Sequence, residues 1–390
     1  MNGSRRWWML GIGMVGQVAG TVAASVPPFL IPYLHLERGL SLTQAGALAA
    51  TPLVGTMVSL VLWGVVVDRW GERLAMAGGL AVVAAAMLGS ATADGYVALG
   101  AWWFVVGVGA ASPNSASGRL VVGWFGPERR GTAMGIRQTA LPLGMGIGAV
   151  LTPTLASSRG LMTVLVAAGV MVAVTAAVCA VAIVDPPREP LDRSTPGGAN
   201  PYRRRLGLVR IHLASALLVV PQYTVWTFML VWLIDARGFA AGLAGALVLV
   251  AQLLGALGRI GAGWWTDQVA SRLRPMRQVA VAAAVTMLAL GLLVDTPVAV
   301  AVIVVASVVT VVDNGMAFTA VAETAGSHWS GRAMGLQNTG QYLAAAAVPP
   351  GIGAVIAGPG YGWAFAIVAI FPVLAVPLIP VLTEQVTEHR

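Results

Sequence analysis

Apolar runs long enough to cross a lipid bilayer follow one another along almost the whole chain of 390 residues, parted only by short charged or Gly/Pro-rich breaks. They lie near 7–33, 43–67, 74–93, 96–124, 131–157 and 160–184, and resume near 207–234, 240–266, 276–294, 297–325, 331–358 and 361–382. A hydrocarbon core of about 30 Å takes about 20 helical residues at about 1.5 Å of rise each. The pattern therefore predicts an all-α polytopic membrane protein with about twelve transmembrane helices. Composition agrees: 57% of residues are hydrophobic and 10% charged, and the mean hydropathy is +0.81. A soluble chain of this size needs far more charge to cover its surface. The opening Arg5-Arg6-Trp7-Trp8 and the apolar stretch to Tyr33 resemble a secretory signal. The stretch is long enough to span the bilayer and has no clear small-residue cleavage site, so it reads as the first span.

The chain is also a weak copy of itself. Gly131-Thr132-Ala133-Met134-Gly135-Ile136-Arg137-Gln138-Thr139 recurs at an offset of 200 as Gly331-Arg332-Ala333-Met334-Gly335-Leu336-Gln337-Asn338-Thr339, with five of nine positions identical. Gly64 and Asp68 face Gly263 and Asp267 at an offset of 199. A duplicated, mostly apolar chain predicts two pseudo-symmetric six-helix bundles with a solute site at their interface. From Asp185 to Arg205 come five prolines, two glycines and five arginines, which cannot cross lipid. The expected division is a bundle over 1–184, a cytoplasmic linker over 185–206 and a bundle over 207–390.

All 23 basic residues are arginine. With the N-terminus inside, seventeen fall at cytoplasmic ends and loops, among them Arg188, Arg193, Arg204, Arg205 and Arg390, against Arg38, Arg159 and Arg237 opposite. That bias is the positive-inside rule, and it predicts a multi-pass protein of the cytoplasmic membrane with both termini cytoplasmic. Topology accounts for the net charge of +8, so a nucleic-acid partner is not called for. The single Cys179 and four scattered histidines provide no disulfide framework and no metal site. No nucleophile–base pair or phosphate-cradling loop is in register, so neither an enzyme nor a cofactor is expected. A non-transporting membrane sensor is a remote alternative, since it would call for an appended soluble domain.

Five charged residues remain inside the spans: Arg119, Arg137, Arg259, Asp313 and Glu323. Charge at membrane depth is costly and normally faces a bundle interior or an aqueous cavity. Arg119 and Glu323 lie at matching ends of spans four and ten. Arg119 is expected to snorkel or to pair with Asp68 or Glu128, and Glu323 to work beside His328 and Arg332. Arg137 is deeper, and its repeat mate is the neutral Gln337. It is either half of a structural pair or a fixed cation for an anionic solute, because a guanidinium fork matches a carboxylate. Gln138 and Asn338 add donors at the same level. Arg259 corresponds to Leu60, so it too is asymmetric; with Arg137 it would place two positive charges in facing halves. Asp313 is the candidate proton carrier, or else a permanent salt-bridge partner of one of these arginines. Asn114, Asn314, Tyr223, Trp226 and Gln341 are further candidate solute contacts; the plainer reading of Tyr223, Trp226 and Gln341 is a helix–helix hydrogen bond.

The loop Gly64-Val65-Val66-Val67-Asp68-Arg69-Trp70-Gly71-Glu72-Arg73 has the spacing G-x-x-x-D-R-x-G-x-R. It resembles the signature loop of the major facilitator superfamily, between that family's second and third helices. Gly263-Trp264-Trp265-Thr266-Asp267-Gln268 keeps the glycine and aspartate of the motif. The resemblance implies the superfamily fold, alternating access, a small-molecule substrate and usually a monomer. It also implies a gate at Asp68, Arg69, Arg73 and Asp267, in which an aspartate accepts from a neighbouring helix N-terminus or an arginine; Arg119, Glu323 and Arg332, at the span ends, are assigned to the same gate. Arg259, eight residues before Asp267, resembles the arginine of the superfamily's oxalate and monocarboxylate carriers. That likeness implies a small organic anion, and Asp313 as a carrier would couple its movement to protons. The competing reading is proton-driven drug efflux. Its span-four arginine position here holds Trp103, and its span-five spacing is matched by Gly135, Gly144 and Gly148 but not by the ending, where Ala149 and Thr152-Pro153 stand. Those glycines also have a structural use, letting spans five and eight pack closely.

Overall fold

The computed structural model describes residues 3–187, 200–203 and 206–381. Most of the predicted linker, and Arg188, Arg193, Arg204, Arg205 and Arg390 of the topology count, lie outside the described residues. Fifteen α-helices are described: α1 (Gly3–Phe29), α2 (Ile31–Leu36), α3 (Leu42–Trp70), α4 (Glu72–Ser90), α5 (Tyr96–Trp124), α6 (Pro127–Arg137), α7 (Ala140–Ala182), α8 (Gly207–Val231), α9 (Ala241–Gln268), α10 (Leu273–Leu292), α11 (Ala299–Val309), α12 (Asp313–Ala325), α13 (Ser330–Ala357), α14 (Tyr361–Val368) and α15 (Ile370–Leu378).

Among the described residues, eleven helical stretches are long and apolar enough to cross a membrane. One of them, Pro127–Ala182, runs for 56 residues and holds two of the predicted spans. Gly160, with φ +80°, divides it in the middle of α7, in a backbone region that only glycine enters readily. The count of about twelve spans is thus recovered, with breaks the hydropathy pattern does not mark. Span five is interrupted between Arg137 and Ala140, and span ten between Val309 and Asp313. Both interruptions fall beside charged residues that the sequence singles out.

Two compact units are formed. Unit 1 comprises Met1–Trp124, Thr139–Leu191 and Gly326–Thr339; unit 2 comprises Phe125–Gln138, Asp192–Ala325 and Gly340–Arg390. Each therefore takes in a short segment from the other half of the sequence. In unit 1, α3 and α4 pack on α5, and α1 packs on α7. In unit 2, α6 packs along α9, α10 on α14 and α8 on α15. The core of unit 2 includes Trp232 edge-on to Phe365, with centroids 6.2 Å apart.

The repeated glycines make the exchanged segments possible. A Cβ on Gly331 would come within 2.6 Å of the Gly64 carbonyl oxygen in unit 1, and one on Gly131 within 2.5 Å of the Gly263 carbonyl oxygen in unit 2. One turn on, a Cβ on Gly335 would strike the Leu60 carbonyl and one on Gly135 the Arg259 carbonyl. Leu60 and Arg259 are repeat mates, so the duplication survives in backbone contact where the side chains have diverged. Gly144 and Gly148 correct an expectation, since they face Thr21 and Ser25 of α1 rather than span eight.

Candidate substrate site and capping aspartates

The motif loop turns at Gly71, whose φ of +103° separates α3 from α4. Just beyond it the Arg73 backbone N–H donates to Asp185 Oδ1 at 2.8 Å. Asp68, one turn earlier, is buried, and its two oxygens accept from the backbone N–H groups of Gly331 (2.8 Å) and Arg332 (3.0 Å) at the start of α13. Those N–H groups belong to the first helical turn, which has no intrahelical acceptors and carries the positive end of the dipole. The Arg332 guanidinium completes the contact at 3.5 Å and stacks on Trp329.

Asp267 repeats the arrangement in unit 2. It accepts from the N–H groups of Gly131 (2.8 Å) and Thr132 (2.7 Å), from the Thr132 hydroxyl (2.7 Å), and from Arg272 Nη1 (2.7 Å). Arg272 also donates to the Pro127 carbonyl at 2.6 Å and lies 3.5 Å from Glu323, which Arg130 pairs at 2.9 Å. The partners of Glu323 are thus Arg130 and Arg272, and Arg332 belongs to Asp68. Arg272 stands five residues after Asp267, as Arg73 does after Asp68, and that spacing was a readable signal for it. Arg69 and Arg73 form no ion pair among the described residues; Arg69 lies over the Trp70 ring at 5.2 Å.

Arg119 pairs with Glu72 at 3.6 Å, and both side chains are almost fully buried; its charge also acts on Asp68. Glu72 lies inside the motif loop, and a glutamate next to a membrane boundary gives no sequence sign that it will turn inward. Removing one partner of a buried pair costs about 3–5 kcal/mol, because a lone charge stays buried, whereas replacing both by apolar residues costs far less. Glu72→Gln is accordingly expected to lower the melting midpoint in detergent sharply. The double variant Glu72→Leu/Arg119→Met is expected to recover most of the loss, as thermal unfolding of the purified protein will show.

The deeper charges gather in unit 2. Arg137, the last residue of α6, is buried; it donates to Gln138 Oε1 at 2.8 Å and lies 5.8 Å from the Phe318 ring centroid. Arg259 of α9 is 4% exposed and lies 5.9 Å from the Trp226 ring centroid. Trp226 in turn tilts against Tyr223, at 5.4 Å. Asp313 opens α12 and is within electrostatic range of Arg259, yet the two form no ion pair. Tyr342 interacts electrostatically with Arg137 and Tyr223. Tyr342 and Phe318 were missed in the sequence, because an aromatic residue in an apolar run carries no mark of what it will face.

The neutral candidates divide. Asn314 donates to Gln222 at 2.9 Å, and Gln341 donates to Asn314 (3.0 Å) and Ser215 (2.7 Å). That closed network ties α8, α12 and α13. Asn114, Gln337 and Asn338 belong to unit 1, where Asn338 donates to the Met334 carbonyl of its own helix at 3.1 Å. Arg137 and Arg259 come from the first and second halves of the sequence, and both fall in unit 2, where α6 packs along α9.

An all-helical polytopic chain with duplicated halves, aspartate-capped helix starts and a buried arginine cluster beside interrupted helices has the construction of a secondary transporter. The chain belongs to the major facilitator superfamily, whose family model matches residues 12–349. It is 44% identical over 383 residues to the uncharacterized MFS-type transporter Rv2994 of Mycobacterium tuberculosis (strain ATCC 25618 / H37Rv), an alignment covering 96% of this chain and 85% of that protein. A stretch of 155 residues is 33% identical to the probable anion transporter 4, chloroplastic, of Arabidopsis thaliana, covering 39% of this chain and 28% of that one. The solved structure of the proton:xylose symporter XylE superposes with a TM-score of 0.79 over 96% of this chain and 95% of its own, at 14% identity, a likeness of fold alone.

Proposed function

We propose that this transporter moves a small organic anion, a carboxylate, across the cytoplasmic membrane by alternating access, coupled to protons. The observation that carries the reading is Arg259. Its guanidinium is buried on an aromatic face, is not ion-paired, and has Nη1 without a hydrogen-bond partner among the described residues. A cation so placed is costly at membrane depth unless an anion visits it. The likeness to a plant anion transporter supports the same reading.

In this reading the halves over 1–184 and 207–390 rock about the site, and both termini are cytoplasmic. The capping contacts of Asp68 and Asp267 close the cytoplasmic side and must break for the site to open inward. Asp313 carries the coupling proton. The test is counterflow in proteoliposomes with a panel of carboxylates, lipophilic cations and neutral sugars. Exchange confined to carboxylates is the expected result, and exchange confined to lipophilic cations would replace the reading with drug efflux. Asp313→Asn is expected to lose uphill accumulation driven by a pH gradient while retaining measurable counterflow. Accumulation that survives in this variant would remove Asp313 from the coupling role.

A further inference from the structure

Three buried polar atoms of one cluster lack a hydrogen-bond partner among the described residues: Nη1 of Arg259, Nε1 of Trp226 and Oδ2 of Asp313. They are neighbours, since Arg259 lies over the Trp226 ring at 5.9 Å and is within electrostatic range of Asp313. Arg259 is 4% and Asp313 2% exposed. Buried donors and acceptors in folded proteins are nearly always satisfied, so a set of them left open together describes the complement that is missing. Here the set has two donors and one acceptor. Arg259 and Asp313 could have satisfied each other by an ion pair, yet the fold holds them apart. The adjacent Asn314 amide cannot fill the space, being committed to Gln222 and Gln341.

A plain carboxylate meets the two donors but leaves Asp313 Oδ2 open. A carboxylate with a hydroxyl on the neighbouring carbon meets all three. We infer that the solute is a 2-hydroxycarboxylate. Its carboxylate accepts from Arg259 Nη1 and Trp226 Nε1, and its hydroxyl donates to Asp313 Oδ2. This rests on the organic-anion reading above and narrows it to a chemical class.

Equilibrium binding to the purified full-length protein, read by calorimetry with matched pairs, tests it: glycolate against acetate, lactate against propionate, mandelate against phenylacetate. Each hydroxy acid is expected to bind about 10-fold or more tighter than its deoxy partner, because a site built around a substrate hydroxyl discriminates against the analogue lacking it. In Asp313→Ala the preference is expected to fall to about twofold or less, with affinity for the deoxy acids retained or improved. Trp226→Phe keeps the ring and removes the N–H, so it is expected to weaken both members of a pair equally and preserve the preference. Equal affinities within the pairs, or a preference untouched by Asp313→Ala, overturn the hydroxycarboxylate assignment while leaving the anion reading in place. Failure of every carboxylate to bind overturns both.

Discussion

Arg259→Gln is expected to lower carboxylate counterflow by about 100-fold or more. A hydrogen bond to a charged partner contributes about 1.5–3 kcal/mol, and about 1.4 kcal/mol is a factor of ten. The substitution also takes away the cation whose charge acts on buried Asp313, so the empty site gains an uncompensated negative charge that repels an anion. Arg259→Lys retains the charge but not the planar fork or its stacking on Trp226, and an intermediate loss of about 10-fold is expected. Arg137 already has Gln138 as a hydrogen-bond partner, so Arg137→Gln is expected to cost less than Arg259→Gln. Counterflow and binding measured side by side, with the melting midpoint as the folding control, decide the matter. Normal exchange in a well-folded Arg259→Gln protein would end the anion proposal and leave the fold untouched.

Asp267→Asn is expected to disturb the protein more than Asp68→Asn, although the two aspartates are repeat mates. Asp267 gathers two backbone N–H groups, a hydroxyl and a guanidinium at 2.7 Å, with its side chain 2% exposed. Asp68 gathers two backbone N–H groups, and Arg332 reaches it only at 3.5 Å from a side chain that is 30% exposed. Removing the charge at Asp267 leaves Arg272 partly uncompensated inside unit 2, a cost of about 3–5 kcal/mol for a buried pair broken on one side. The exposed half of the Asp68 pair can turn to water, so its loss is expected to be about 1 kcal/mol. Hydrogen exchange reads this directly. Amides of Gly131 and Thr132 are expected to exchange about 100-fold faster or more in Asp267→Asn, and those of Gly331 and Arg332 about 10-fold faster or less in Asp68→Asn. Equal acceleration in both variants would show that Arg272 adds nothing to the contact.

The difference between the aspartates also marks how far the sequence could be read. Asp68 and Asp267 were legible as a pair because the duplication preserved them, and a helix-capping role follows from an acid at a helix boundary. Arg272 was legible in principle from its spacing. The three donors that Gly131 and Thr132 bring to Asp267 were not, since both lie more than a hundred positions away in the chain. Glu72 shows the same limit: burial of a glutamate depends on Arg119 arriving from another helix.

Hydropathy alone determined that this chain is a set of membrane-spanning helices, because in lipid each backbone N–H and C=O must be satisfied within its own helix, and length and apolarity suffice to say where. The repeat alone determined which glycines and aspartates have counterparts, and the motif loop pointed to the superfamily. Tertiary structure decided what faces what. It placed Arg137 with Arg259 in one unit by laying α6 along α9, and it set an aromatic face under each guanidinium. It also committed Asn314 and Gln341 to one another and left Arg259, Trp226 and Asp313 with open hydrogen-bonding atoms. Side-chain partners across helices depend on rotation and close approach of whole elements, which no local pattern of residues encodes.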